Sequence, residues 1–178
     1  MALPYFSNQQ VIDQLNSGFK WPDSTISYSF PEYSSSLFSQ DPEVEGTFSP
    51  VAYSLRPLFE LGVNLWGDLI PQSLKKYQST PISLFTDTDI EIGYFLSSSR
   101  YAFAYFPELG SAWFNLSKPM LASPDIGNYG FFAILHELGH SLGLDHMGNY
   151  NGAEGNQPSS YQDSTVLSIM SYYGPSSP

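Results

Sequence analysis

The chain has 178 residues, of which 42% are hydrophobic and 16% aromatic, and it contains no cysteine. This length and composition are those of one globular domain with a buried core, and the missing cysteine excludes thiol catalysis and disulfides. A formal net charge of −11 with six lysines and arginines excludes a nucleic-acid binder, and no stretch approaches the roughly 20 apolar residues of a membrane span.

The first half of the chain predicts a helix, a strand, a loop and a second helix. Val11, Ile12 and Leu15 recur at helical spacing, and a strand is expected near residues 26–30. Residues 34–49 are rich in serine and acidic side chains and are expected to form a solvated loop. The acidic run at residues 41–45 lacks the ligand spacing of an EF-hand calcium site.

A long helix is expected after this loop. Ser49 and Pro50 have the pattern of an N-cap and a first helical residue, and Pro57 is expected to kink or shorten the helix. The residues assigned to its buried face are Val51, Leu55, Leu58, Phe59, Gly62, Leu65 and Leu69.

The second half predicts four strands and another long helix. The strand candidates are residues 82–86, 90–95, 100–106 and 112–116, and the helix runs from about residue 126 to 142. This order predicts an α/β (α+β) fold with five strands covered by two helices, above a small irregular C-terminal lobe. Residues 1–178 are expected to form a single domain, with an upper lobe of about residues 1–143 and a lower lobe of residues 144–178.

The segment HELGHSLGLDH, from His136 to His146, holds all three histidines of the chain in the pattern HExxHxxGxxH. His136 and His140 lie four residues apart, so one face of a helix presents both rings to one ion. On a continued helix His146 would lie about 15 Å from His136 along the axis, so the helix must end between them. Gly143 permits that turn because glycine enters the left-handed conformation at little cost.

This motif predicts one catalytic Zn²⁺. Three histidine ligands leave the fourth position of a tetrahedral zinc ion open for water, as in catalytic sites. Glu137 is placed to take a proton from that water as it attacks a carbonyl and to return the proton to the leaving amine. The alternatives are a structural zinc site, which usually recruits a fourth protein ligand, and histidines that merely stand at a helix end.

The segment SIMSYY, residues 168–173, resembles the Met-turn that follows this motif in the metzincin zinc endopeptidases. Met170 would then form an apolar floor beneath the histidines. Tyr172, two residues after Met170, makes the chain similar to the serralysin group. In that group a tyrosine at this position can bind zinc and swing away to stabilise the transition state. The alternative is a tyrosine packed at the edge of the cleft. Segments similar to serralysins in the same order are residues 25–33, 101–107, 111–117 and 150–156.

The resemblance implies the metzincin fold, with a twisted, mixed five-stranded sheet. It also implies a secreted, monomeric protease that cleaves polypeptides and that a protein inhibitor could bind. The N-terminus lacks the basic start and apolar run of a secretory signal. The calcium-binding repeats of secreted serralysins are absent, so the similarity is to the catalytic domain. Met147 replaces the proline that commonly follows the third histidine, and this change is expected to loosen the loop.

The resemblance also implies that residues 101–106 form an antiparallel edge strand. An extended peptide substrate could pair with this edge, although a plain, protected edge is the alternative. The candidate substrate-binding residues are Tyr101, Ala102, Phe103, Ala104 and Tyr105. The function implied is a zinc metalloendopeptidase that cleaves internal peptide bonds, and the alternative function is a catalytically weak binding module of a larger secreted protein.

Overall fold

The computed structural model describes residues 3–33, 41–77, 88–150 and 157–174, within two compact units. One unit is Lys20–Leu142, and the other combines Met1–Phe19 with Gly143–Pro178. The division after Leu142 lies where the upper lobe was predicted to end, whereas the first residues of the chain group with the C-terminal segment. The assignment of the whole chain to one domain stays a prediction.

The unit Lys20–Leu142 contains a mixed five-stranded sheet in the spatial order β2-β1-β3-β5-β4. Parallel pairs join β2, β1, β3 and β5, whereas β4 pairs antiparallel with β5 at the edge. Every residue of β3 and β5 is buried, as expected for parallel strands covered on both faces. The predicted α+β class with a mixed five-stranded sheet is therefore confirmed. The strands are β1 (Thr25–Ser29), β2 (Ser73–Lys76), β3 (Ile90–Phe95), β4 (Ala102–Ala104) and β5 (Ala112–Asn115).

Five helices occur in the described residues, and the two longest lie in the same unit as the sheet. The indole of Trp66 on α3 donates to the carbonyl of Leu135 on α5 at 3.0 Å, and Phe59 of α3 is fully buried in the core. Within the described part of the chain, none of these helices is both long and apolar enough to span a membrane. The helices are α1 (Asn8–Leu15), α2 (Pro42–Thr47), α3 (Arg56–Gly67), α4 (Pro119–Ala122) and α5 (Tyr129–Ser141).

The unit formed by Met1–Phe19 and Gly143–Pro178 has little regular structure where it is described. Its helix α1 begins with a capping box in which Ser7 and Gln10 satisfy each other's backbone N–H groups. A β-bridge between Asn16 and Leu144 follows, and the other described residues form turns and bends. The predicted first helix and the irregular C-terminal segment are both present.

The long helix of the first half begins at Arg56, and the expectation that it begins at Pro50 is wrong. Ser49 forms a β-bridge with Tyr94, with both backbone hydrogen bonds at 2.9 Å, so its N–H and carbonyl are used by a strand rather than by a helix. Pro57 lies in the first turn of α3, where its missing N–H removes no helical hydrogen bond. The proline therefore stands at the beginning of the helix and not in its interior, where a kink was expected.

The buried face of α3 is also narrower than predicted. Leu65 and Leu69 were assigned to this face, but Leu65 is 43% exposed, and Leu69 lies beyond the end of α3 at Gly67 and is 76% exposed. Helical periodicity identifies a stripe of apolar residues without showing how far the neighbouring elements extend over it. The fully buried residues of α3 are Phe59, Gly62 and Val63.

The predicted loop at residues 34–49 contains a helix, so the loop assignment is wrong for α2. The Asp41 carboxylate accepts hydrogen bonds from the N–H groups of Glu43 and Val44 at 3.1 and 3.3 Å, and Pro42 is the first helical residue. Asp41 also pairs with Arg100 at 2.6 Å. The acidic run therefore caps and begins a helix. Residues 34–40 lie outside the described residues.

Three short elements differ from the predictions, and a fourth predicted element cannot be compared. Strand β2, with the sequence SLKK, was not predicted because it lacks an alternating apolar pattern. The strand predicted at residues 82–86 lies outside the described residues. Strand β4 is shorter than the predicted 100–106, and the single-turn helix α4 was not predicted.

Replacing Asp41 by alanine is expected to lower the free energy of unfolding by about 1–2 kcal/mol at neutral pH, because α2 loses its N-cap. Burial raises the pKa of the Asp41 carboxyl, but Arg100 and two backbone N–H groups outweigh burial and hold that pKa below 3.8, its ordinary value. The ionised carboxylate therefore stabilises the fold above pH 3.8, and this contribution is lost as the pH falls through the lower pKa of the folded state.

Urea unfolding of wild type and Asp41→Ala at neutral pH and at about pH 2 measures both parts of this expectation. The stability difference should be largest at neutral pH and should shrink in acid. An equal difference at both pH values would show that the charge of Asp41 contributes nothing.

Candidate metal centre

Helix α5 carries the first two histidines and the glutamate between them. The side chain of Asn128 caps the helix by accepting the N–H of Phe131 at 3.2 Å. Every residue from His136 to Ser141 is buried. The motif therefore lies on the rigid, buried end of a regular helix.

His136 and His140 lie one turn apart, and their rings meet. The two Nε2 atoms are 3.1 Å apart, and the ring planes are nearly perpendicular. Two Zn–N bonds of about 2.05 Å at a tetrahedral angle would place two nitrogens roughly 3.3 Å apart. The pair therefore fits two ligands of one tetrahedral ion.

Aromatic rings flank both histidines. Phe132, one turn before His136, stacks on its ring at 6.1 Å, and Phe106 contacts the ring of His140 edge-on at 5.8 Å. These contacts restrict the ring orientations. Phe132 was assigned no role from the sequence, although its four-residue spacing from His136 was a signal for this contact, and Phe106 was assigned only to the edge strand.

Glu137 is buried beside the first histidine. Burial raises the pKa of its carboxyl to about 8. A nearby cation would lower that pKa again, because the carboxylate would then gain an opposite charge. The side chain is therefore suited to exchange a proton near neutral pH.

The chain leaves the helix where the motif predicts. Helix α5 ends at Ser141 with Leu142 as its C-cap, and Gly143 has a φ of +103°. That conformation is strained for residues with a β-carbon. Both the helix end and the left-handed glycine are confirmed.

His146 lies in the unit formed by Met1–Phe19 and Gly143–Pro178, and its surroundings there determine which ring nitrogen carries the proton. Its side chain is buried, and its Nδ1 atom lies 2.9 Å from the carbonyl oxygen of Tyr150. Because a carbonyl can only accept, Nδ1 is the donor in the neutral ring, and the Nε2 lone pair is available for a metal. From the sequence, Tyr150 was identified only as part of a serralysin-like segment, and its contact with His146 was not predicted.

The Tyr172 ring packs against His146 with centroids 4.5 Å apart, and against Tyr150 at 5.1 Å. Tyr172 remains 45% exposed. This position beside the third histidine agrees with a zinc-binding or transition-state role and equally with packing. The role of Tyr172 stays a prediction.

The segment after His146 is tied to the predicted Met-turn. Met147 is fully buried, and its N–H donates to the carbonyl of Met170 at 3.2 Å. Proline could not make this bond because it has no N–H. The expectation that Met147 loosens the loop is therefore not supported by its contacts. Met170 itself is buried, and its place as a floor beneath the histidines stays a prediction.

The predicted edge strand is present as β4. It pairs antiparallel with β5, Phe103 opposite Trp113, and lies at the edge of the sheet. Phe103 packs against Phe95 at 5.3 Å, whereas Tyr101 is 54% exposed. The position of the strand is confirmed, and substrate binding by residues 101–105 stays a prediction.

Among the described residues, His136, His140 and His146 form a group that could hold a metal ion. No protein-family model matches the chain. Metalloprotease AprA of Pseudomonas entomophila (strain L48) is 32% identical over an alignment of 189 residues, gaps included, that covers 97% of this chain and 38% of that protein. Serralysin A of Dickeya chrysanthemi is 46% identical over 82 residues, which cover 44% of this chain and 17% of that protein. The chain belongs to the serralysin-like metzincins.

The serralysin-like chain spans well under half the length of these curated relatives. The solved structure of myroilysin matches 74% of this chain and 54% of its own chain, with 14% identity and a TM-score of 0.46. The predicted resemblance to the serralysin group is confirmed by the sequence matches.

Proposed function

We propose that the chain is a zinc-dependent endopeptidase in which His136, His140 and His146 hold one Zn²⁺ and Glu137 moves the protons. The observation that carries this proposal is the 3.1 Å separation of the two Nε2 atoms on α5, beside a buried glutamate. The relatives named serralysin and metalloprotease support the same chemistry.

The proton transfers fall to Glu137. When bound, Zn²⁺ acidifies a water molecule and polarises the peptide carbonyl. Glu137 accepts a proton from the water as its oxygen adds to the carbonyl carbon, and it delivers that proton to the nitrogen as the C–N bond breaks. Burial favours the protonated form of Glu137 between these two transfers.

Substrate alignment falls to β4. Within the described residues β4 is the outermost strand of the sheet, and a peptide that pairs with its outer edge gains backbone hydrogen bonds that do not depend on the peptide's sequence. The proposed substrates are therefore unfolded or extended polypeptides. We also propose a secreted monomer, as the relationship to serralysins suggests.

The direct experiment measures the metal content of the purified chain and its cleavage of denatured casein, with and without a zinc chelator. One zinc per chain and chelator-sensitive cleavage would support the endopeptidase. Zinc without cleavage would favour the binding module instead. If the purified chain binds no zinc, the proposed metal site is overturned. The 3.1 Å separation of the Nε2 atoms would then reflect a hydrogen bond between two neutral rings.

Tyr172→Phe is expected to lower kcat about 100-fold while zinc binding is kept, because the variant loses one donor to the transition-state oxyanion and no histidine. Steady-state kinetics on a fluorogenic peptide, beside metal analysis, measures the effect. Tyr161→Phe is a control, since this tyrosine is 55% exposed and stacks on Tyr5. Turnover equal to wild type would assign Tyr172 to packing.

A further inference from the structure

Asp163 is a buried carboxylate to which the residues around the third histidine and the Met-turn donate hydrogen bonds. It is 1% exposed. Its Oδ1 atom accepts from the hydroxyls of Tyr150 and Ser171, both at 2.7 Å, and its Oδ2 atom accepts the N–H of Ser159 at 2.8 Å. The ion pairs of the described residues do not include Asp163. Hydrogen-bond donors alone therefore compensate the burial of this group.

Two of these donors, Tyr150 and Ser171, also hydrogen-bond to the backbone at the end of the Met-turn. The hydroxyl of Tyr150 accepts the N–H of Tyr172 at 3.3 Å, and the hydroxyl of Ser171 accepts the N–H of Tyr173 at 3.1 Å. Because each hydroxyl gives its proton to Asp163, its lone pairs are directed towards these backbone groups. Asp163 thus fixes the backbone on which Tyr172 stands.

Tyr150 also restricts the orientation and the protonation of the His146 ring. Its ring stacks on the histidine ring at 5.4 Å, and its carbonyl oxygen accepts the Nδ1 proton at 2.9 Å. Rotation or displacement of Tyr150 would therefore change both the plane of the imidazole and the tautomer in which Nδ1 carries the proton.

Gly148 shows how closely these groups approach each other. A β-carbon at this position would clash with the Tyr150 ring and would lie 2.7 Å from Oδ2 of Asp163. The backbone at residue 148 therefore fills the space beside the contact between Tyr150 and Asp163. A side chain there would push Tyr150 or Asp163 away.

We propose that Asp163 is a positioning residue for the metal centre: by holding Tyr150 and Ser171 it fixes the ring of His146 and the backbone of Tyr172. This inference rests on the proposed function, because it assumes that His146 is a zinc ligand. The side-chain hydrogen bonds of Asp163 within the described residues go to Tyr150, Ser159 and Ser171. It acts through Tyr150 and Ser171, which lie in the same compact unit.

The test replaces Asp163 by asparagine and measures zinc affinity by competition with a chromophoric chelator. Either orientation of the amide turns an NH₂ group towards at least one donor, so the network loses one or more bonds. The expected result is zinc binding weaker by about 10- to 100-fold, the usual effect of losing an outer partner of a metal ligand. ¹⁵N-histidine spectra of the metal-free chain should show a mixed tautomer for one of its three rings.

Asp89→Asn is the matched control. The Asp89 carboxylate accepts a backbone N–H and a hydroxyl, both of Ser27 and both at 2.7 Å, in the unit that contains the sheet. This variant should lose stability while keeping zinc affinity and histidine spectra. Equal losses of zinc affinity in Asp89→Asn and Asp163→Asn would assign Asp163 to general stability and overturn the inference.

Tyr150→Phe keeps the test decisive if Asp163→Asn fails to fold. The phenylalanine ring and carbonyl remain, and only the two hydroxyl bonds are lost. Weaker zinc binding in this variant alone would support the inference. Where Asp163→Asn folds, the double variant should bind zinc no more weakly than the weaker single variant. Wild-type zinc affinity in either single variant would overturn it. A wild-type chain that binds no zinc would instead refute the proposed function.

Discussion

Replacing Glu137 by glutamine is expected to lower kcat for peptide hydrolysis about 10⁴-fold, with zinc still bound. Glutamine has nearly the same size but cannot accept a proton from water, and general acid–base catalysis contributes up to about 10⁴-fold. The full effect is expected because one carboxylate serves both proton transfers. Zinc should remain because the three histidines are unchanged. Single-turnover kinetics with metal analysis of the same sample measures both quantities.

Glu60→Gln is the matched control for this substitution. It removes the same charge from α3, where Glu60 forms a partly exposed ion pair with Lys76. Hydrolysis should be unchanged in that variant, because surface ion pairs contribute little. Substantial cleavage by Glu137→Gln with zinc bound would reject Glu137 as the proton carrier. Loss of zinc in Glu137→Gln would show instead that the glutamate supports the metal site.

Replacing Phe59 by alanine is expected to lower the free energy of unfolding by about 3–5 kcal/mol. Phe59 is 0% exposed, and its ring contacts Phe30, Tyr94 and Phe114 with centroids 5.2 to 6.1 Å apart. Truncation would remove these aromatic contacts and leave a cavity between α3 and the sheet. Urea unfolding followed by circular dichroism gives the difference in free energy.

Leu69→Ala is the informative control for the core prediction. The apolar periodicity placed Leu69 on the buried face with Phe59, whereas the structure leaves it 76% exposed. Its replacement should change the free energy of unfolding by no more than about 0.5 kcal/mol. Similar losses in the two variants would contradict the structural assignment of the core.

Local signals predicted much of the fold. The strand at residues 90–95 was predicted with its observed bounds because β3 carries the apolar residues Ile90, Ile92, Tyr94 and Phe95, in a strand-like pattern broken only by Glu91 and Gly93. The helix of the zinc motif was predicted from its period, and its end from Gly143. Where local signals conflicted, the prediction failed: Ser49 and Pro50 have the pattern of a helix start, but pairing with Tyr94 outweighed it. The Asp41-Pro42 cap was readable from the sequence and was overlooked.

The sequence by itself determined the metal-ligand pattern, since the spacing of His136 and His140 and the turn at Gly143 are set by helix geometry and by backbone sterics. The tertiary structure decided the surroundings of those residues. The bonds of Asp163 to Tyr150 and Ser171 join residues 13 and 8 positions apart with no periodic spacing. Helical and strand periods predict which side chains are neighbours within one regular element. They do not predict contacts between residues of irregular backbone, which only the folded structure shows.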